Sequence, residues 1–207
     1  MAAVVTGNTV VLKPSSDSPT IAAKFMEIVE EVGLPAGVVN YISGSAKTGE
    51  AMVTHPKTRF ISFTGSKGVG LHINEEAAKT RPGQIWIKRV VAEMGGKDAI
   101  VVADDADLDA AASGAVSAAF GFQGQKCSAC SRLIVDERVH DELMAKVVEL
   151  TNKLVQGQPD DASTNVAAVI NKRSFDTTMK YIAKGIEEGG ELLTGGKGDD
   201  SSGFYIE

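Results

Sequence analysis

At 207 residues the chain is long enough to bury a core, and its net charge of −6 excludes nonspecific binding to nucleic acid through phosphates. Its 43% hydrophobic content is an ordinary globular balance, and no apolar run reaches the length needed to cross a bilayer. Two cysteines make no disulfide framework, and the start "MAAVVTGN" lacks the basic head and apolar stretch of a secretory signal, so a reducing compartment, the cytoplasm, is expected.

The first elements alternate regularly. "TVVLK", ending at Lys13, is a short β-branched run and predicts a strand. "KPSSDSP" is a loop. Ile21, Phe25, Ile28, Val29 and Val32 then recur at helical spacing until Gly33 and Pro35 stop the helix. "VVNYIS" predicts a strand, "AKTGEAMVTH" a short helix, "RFISF" a strand and "GVGLHINEEAAK" a helix. "TRPGQ" is a turn, and "IWIKRVVAE" predicts a fourth strand. Strands separated by single helices imply an α/β fold with a Rossmann-like parallel sheet and crossover helices. Such sheets bind ligands at the carboxyl ends of their strands.

After the Gly-Gly of "EMGGKD" the pattern restarts, which places a boundary between residues 1–94 and 95–207 and predicts a second α/β part. "DAIVVA" and "SRLIVD" predict strands around the small-residue helix "DLDAAASGAVSAAFG". Val139, Leu143, Val147, Leu150 and Leu154 share one face of the next helix. "NKRSFDTTMKYIAKGIEEGG" is a further helix, "ELLTGG" and "GFYIE" short strands, and "GGKGDDSSG" a surface loop.

The cysteines, Cys127 and Cys130, invite three readings. A redox C-x-x-C pair should open a helix, yet Cys130 runs into the strand "SRLIV". A zinc site needs about four ligands, and His55, His72 and His140 are scattered, so no metal is expected. Two buried thiols are the ordinary alternative. For Cys127 the polar, glycine-containing lead-in "GQK" suits an exposed thiol. Glu93, at the end of an apolar strand, is either a functional carboxylate or a solvated strand end. In "FTGSKGVG" glycines follow a strand and open a helix, where backbone amides hold phosphate; a plain glycine turn reads the same way.

Taken in order, "VLKPSS", "FTGSKGVG", "EMGGKDA" and "GQKCSA" resemble the NAD(P)-dependent aldehyde dehydrogenases over the whole chain. The spacing of Glu93 and Cys127 also matches that family. The "GFQGQKCSA" context is most similar to the branch that oxidises glutamate γ-semialdehyde (1-pyrroline-5-carboxylate) to glutamate in proline breakdown.

The resemblance implies a role for each matching residue. Cys127 is the nucleophile and its backbone amide part of an oxyanion hole, and Glu93 is the general base. Lys13 meets the adenosine ribose. Ser16 stands where NAD-preferring members carry a glutamate, so NADP use stays open beside NAD. Gly65 and Ser66 form the pyrophosphate turn, and Val69 lines the adenine side. Gly49 and Phe63 join the cofactor set, with Met94 and Gly95 beside the nicotinamide. Lys126 and Ser128 hold the substrate carboxylate. The family also implies a homo-oligomer.

Family members carry an upstream P-W-N segment and a downstream E-x-F-G-P segment, and neither occurs here. The chain is therefore expected to be a central piece of a longer enzyme, with little or no activity of its own. Another semialdehyde dehydrogenase and a noncatalytic nucleotide-binding module are the alternatives.

Overall fold

Three successive strand–helix–strand units set the architecture of the computed structural model, which describes residues Met1–Glu207. The backbone divides into two units, Met1–Met94 and Gly95–Glu207.

The first unit opens with a short helix, α1 (Ala2–Val5). Strand β1 (Val10–Leu12), helix α2 (Pro19–Glu31) and strand β2 (Val39–Tyr41) follow. The strands are parallel, with Val10 opposite Val39 and Leu12 opposite Tyr41. Parallel neighbours need a crossover, and α2 supplies it. Pro19 suits the first helical position, where its missing N–H has no helical partner. Helix α3 (Ala46–Thr54) leads to β3 (Phe60–Thr64), α4 (Lys67–Ala78) and β4 (Arg89–Glu93). These strands are also parallel, with Phe60 opposite Arg89 and Thr64 opposite Glu93.

The structure refines these expectations. The expected parallel pairing with crossover helices is present, divided into two pairs, β1 with β2 and β3 with β4, with no ladder joining them. Helix α2 forms as its periodicity predicts, but of its apolar face only Val29 is buried; Ile21 and Val32 are each 71% exposed. The fourth strand begins at Arg89, not Ile85. Its partner β3 starts at Phe60, so residues 85–88 have no strand to pair with, and Ile85 and Ile87 point outward.

The second unit contains β5 (Asp98–Val102), α5 (Leu108–Phe120), a 3₁₀ turn (Gly121–Gly124) and β6 (Cys130–Val135). Helices α6 (His140–Asn152) and α7 (Lys172–Glu187) follow, then β7 (Gly198–Asp199) and β8 (Tyr205–Ile206). Strands β5 and β6 are parallel. Their register slips between Asp98 and Ala99, leaving Ser131 as a bulge just after Cys130. The core joins Val102 on β5, Ala112 on α5 and Leu143 on α6, the last two fully buried. The small residues of α5 let α6 approach closely. Asp107 caps α5, its carboxylate accepting from the N–H groups of Asp109 and Ala110.

The strand expected at "ELLTGG" does not form. Gly195 and Gly196 take left-handed φ of 65° and 78°, which breaks an extended run. The strand lies instead within the expected surface loop, where Gly198 pairs with Ile206 and Asp199 with Tyr205, antiparallel. Asp199 also accepts from the Ser201 N–H at 2.9 Å, which turns the hairpin.

Candidate active site

In the first unit the strand ends gather polar and glycine residues. Lys13 leaves the carboxyl end of β1, and its Nζ donates to the carbonyls of Pro14 (2.6 Å) and Gly44 (3.2 Å). Its stem passes close to Gly49, where a Cβ would lie 3.6 Å from Lys13 Cε. Gly49 and Val69 both line a cleft of about 580 Å³ between α3 and α4, whose walls include Ala46, Val53 and Ile73. Glu50 and His72 also line it, with Glu50 Oε2 2.8 Å from His72 Nε2. The hydrogen bond and charge of Glu50 raise the His72 pKa above its ordinary value.

The turn after β3 is packed from beneath. The Phe63 ring folds back so that a Cβ on Gly65 would meet its Cζ at 2.4 Å. A Cβ on Gly70 would meet Met94 Sδ at 2.7 Å. Glycine is therefore required at both positions unless Phe63 and Met94 move. The Gly65 N–H donates to the Glu93 carbonyl at 3.0 Å, tying the turn to the end of β4. Ser66 caps α4, its Oγ accepting from the Val69 N–H. The Glu93 side chain is exposed at the last position of β4. Ser16 is exposed in the loop before α2, and no hydrogen bond draws its side chain toward the cleft.

In the second unit Cys127 occupies a turn at the amino end of β6, closed by the Ala129 N–H donating to the Lys126 carbonyl at 3.2 Å. Cys127 is exposed, and Lys126 and Ser128 flank it on the same exposed turn. Cys130 is half-buried as the first residue of β6, and its Sγ donates to the Arg132 carbonyl at 3.3 Å. The two thiols are thus in different environments, and both are free.

Two contacts fix that turn. A Cβ on Gly96 would lie 2.5 Å from the Cys127 carbonyl oxygen, so the backbone there requires glycine. At Gly95 nothing lies within 4 Å of a Cβ. The Gln125 Oε1 accepts from the Ile170 N–H at 3.1 Å, which ties the turn to the segment before α7. Just upstream, Phe122 and Gln123 adopt left-handed φ of 57° and 55°, a costly conformation for residues with a Cβ.

The sequence singled out neither Gly96 nor Gln125 for a role. The glycine pair was visible, but which glycine faces a backbone carbonyl depends on the β5–β6 register. Gln125 was visible only as a polar neighbour of the thiol.

The profile of the Aldehyde dehydrogenase family matches residues 1–207. The chain belongs to the aldehyde dehydrogenase family. Among aldehyde dehydrogenases it is 57% identical over 207 residues to the 1-pyrroline-5-carboxylate dehydrogenase of Bacillus cytotoxicus, covering all of this chain and 40% of that protein. It is 58% identical over 208 residues to the enzyme of the same name from Geobacillus thermodenitrificans, again with all of this chain and 40% of the relative. The crystal structure of a Thermus 1-pyrroline-5-carboxylate dehydrogenase with bound NAD superimposes with a TM-score of 0.91 at 43% identity, over 97% of this chain and 39% of that one. The chain thus spans about 40% of the length of the curated aldehyde dehydrogenases it matches. No helix is long and apolar enough to cross a membrane.

Proposed function

We propose that this chain carries the dinucleotide-binding and nucleophile-bearing parts of an aldehyde dehydrogenase that oxidises glutamate γ-semialdehyde to glutamate. Residues 1–94 are read as the dinucleotide-binding part and residues 95–207 as the catalytic part. The reading rests above all on Cys127, an exposed thiol on a turn held by Gly96 and Gln125, in a chain of this family.

The residues of the first unit fit NAD. The cleft between α3 and α4 offers apolar walls to a planar base, with Gly49 and Val69 in its lining. The Lys13 ammonium serves the ribose, and the amides of the Gly65–Ser66 turn at the start of α4 suit a diphosphate. Met94 and Gly95 are assigned to the nicotinamide end. When bound, NAD accepts the hydride that the substrate carbon gives up. With serine at position 16 no carboxylate stands there to repel a phosphate, so NADP is read as a second acceptor.

The side chains perform the rest. The Cys127 thiolate attacks the aldehyde carbon, forming a C–S bond, and its own backbone N–H stabilises the oxyanion. Loss of hydride from that carbon leaves a thioester on Cys127. Glu93 takes a proton from water as the water adds to the thioester carbon. The C–S bond then breaks and Cys127 departs as thiolate, releasing the carboxylate. Lys126 and Ser128 are assigned to the substrate's distal carboxylate. A homo-oligomer in the cytoplasm completes the reading.

The test is NADH formation from glutamate γ-semialdehyde, measured on this chain and on a Cys127→Ser variant. Turnover that vanishes in the variant supports the reading. Dinucleotide binding with no turnover in either would leave a nucleotide-binding module and sink the catalytic assignment for this chain.

A further inference from the structure

The geometry points to a divalent-metal site formed by Glu50, His72 and Glu76, which clamps helices α3 and α4 across the cleft they enclose. The ligand atoms of these three side chains all lie within 4.8 Å of one another. His72 and Glu76 are four residues apart on α4 and so share one face, and Glu50 reaches them from α3. One imidazole nitrogen and two carboxylates form a donor set suited to zinc. Zinc holds such ligands at about 2.0–2.2 Å, which puts neighbouring donors about 3.3 Å apart. To admit the ion the 2.8 Å contact of Glu50 with His72 opens slightly and the longer separations, within 4.8 Å, close, a change that the half-exposed Glu50 and His72 side chains are free to make.

Glu76 is the most confined of the three, with a side chain only 13% exposed. Lys79 and Arg81 already hold it. That arrangement still leaves room for a metal. Lys79 is shared with Glu75 at 3.0 Å, so it has a second carboxylate to turn to when the ion arrives. A carboxylate also offers about four lone-pair directions, so Glu76 can keep Arg81 while ligating. Three protein ligands leave the fourth position to water, the pattern of an open site. The placement has a consequence beyond binding. Glu50 and His72 line the cleft between α3 and α4, so an ion there bridges its two walls and sets their spacing.

The experiment is a zinc titration of the full chain against a chromogenic chelator. It is run in a Cys127→Ser, Cys130→Ser background so that thiolates cannot supply the ligands. The expected result is one zinc per chain, with affinity falling by about tenfold or more on His72→Ala and on Glu50→Gln. Zinc should also raise the melting temperature of the thiol-free chain and not that of the His72→Ala variant. No zinc uptake by the thiol-free chain overturns the site. So does unchanged affinity in Glu50→Gln, a near-isosteric change that keeps the test decisive even where His72→Ala disturbs the helix.

Discussion

The Cα of Gly96 faces the carbonyl of Cys127 so closely that a Cβ there would sit 2.5 Å from the oxygen. The same Cβ would lie 2.8 Å from Asp98 Oδ2. One of these atoms is backbone and cannot swing away, so the turn bearing Cys127 must shift to admit a methyl group. Gly96→Ala is therefore expected to destabilise the chain by about 1–3 kcal/mol and to change the Cys127 alkylation rate severalfold. Gly95→Ala, with open space around it, should stay within about 0.5 kcal/mol of the parent. Chemical denaturation of both variants separates the two glycines. Equal effects would show that the contact does not govern the turn.

The thiols should differ in reactivity for a reason that needs no assumption about catalysis. Cys127 is exposed on a turn, whereas Cys130 is half-buried and its Sγ donates to the Arg132 carbonyl. A mild alkylating reagent should modify Cys127 first in the native chain, and both equally once the chain is unfolded. Mass spectrometry of the digested product gives the order. Faster modification of Cys130 would contradict the structure at this turn.

The sequence made the helices and most strands legible because each is a local pattern. The periodicity from Ile21 to Val32 marks α2, and the β-branched run ending at Lys13 marks β1. What it could not show depends on partners distant in the chain. Ile85 and Ile87 read as strand residues, but a strand exists only where another pairs with it, and β3 starts too late to do so. The division of the parallel strands into separate pairs was hidden for the same reason, since ladder pairing is not written in either strand alone. At the site, Cys127, Glu93 and the "FTGS" turn stood out by residue type. Gly96 and Gln125 did not, because their importance lies in a register and in a loop more than forty residues away. The place of Glu50 beside His72 was likewise invisible, as it arrives there only when α3 lies against α4.

Gly49 offers a test of the cleft. A Cβ there makes only an ordinary contact with Lys13, so Gly49→Ala should be tolerated. A leucine at this position extends into the space between α3 and α4. Gly49→Leu is expected to weaken NAD binding by about tenfold or more while leaving the melting temperature nearly unchanged. Calorimetric titration of both variants is the measurement. Unaltered affinity in Gly49→Leu would remove the adenosine from this cleft.

The His72–Glu50 pair gives the first unit a defined pH response. Glu50 raises the His72 pKa above 6.5, first through the hydrogen bond and then through its charge, with Glu76 and Glu75 adding to the charge. Partial removal of the imidazole from water opposes that effect. A raised folded pKa means that the pair's contribution to stability is complete below 6.5 and is lost as pH rises through the raised value. An NMR titration of the imidazole should give a midpoint above 6.5, and Glu50→Gln should bring it down without fully restoring the ordinary value. A midpoint at or below 6.5 in the parent chain would mean that the pair does not form in solution.

Gln125 tests whether the turn bearing Cys127 is held from outside itself. Its amide oxygen accepts from the Ile170 N–H, and the sequence around it already bears the cost of left-handed backbone at Phe122 and Gln123. A conformation of that kind persists only where surrounding contacts fix it. Removing the contact with Gln125→Ala should cost about 0.5–1.5 kcal/mol, because water reaches the exposed Ile170 amide and replaces part of the bond. The sharper readout is local. Hydrogen exchange at the Ile170 amide should accelerate, and Cys127 alkylation should change with it, since both ends of the bond are released together. Exchange that speeds at Ile170 with alkylation unchanged would show that the turn holds its shape without this anchor, leaving Gly96 as its main constraint.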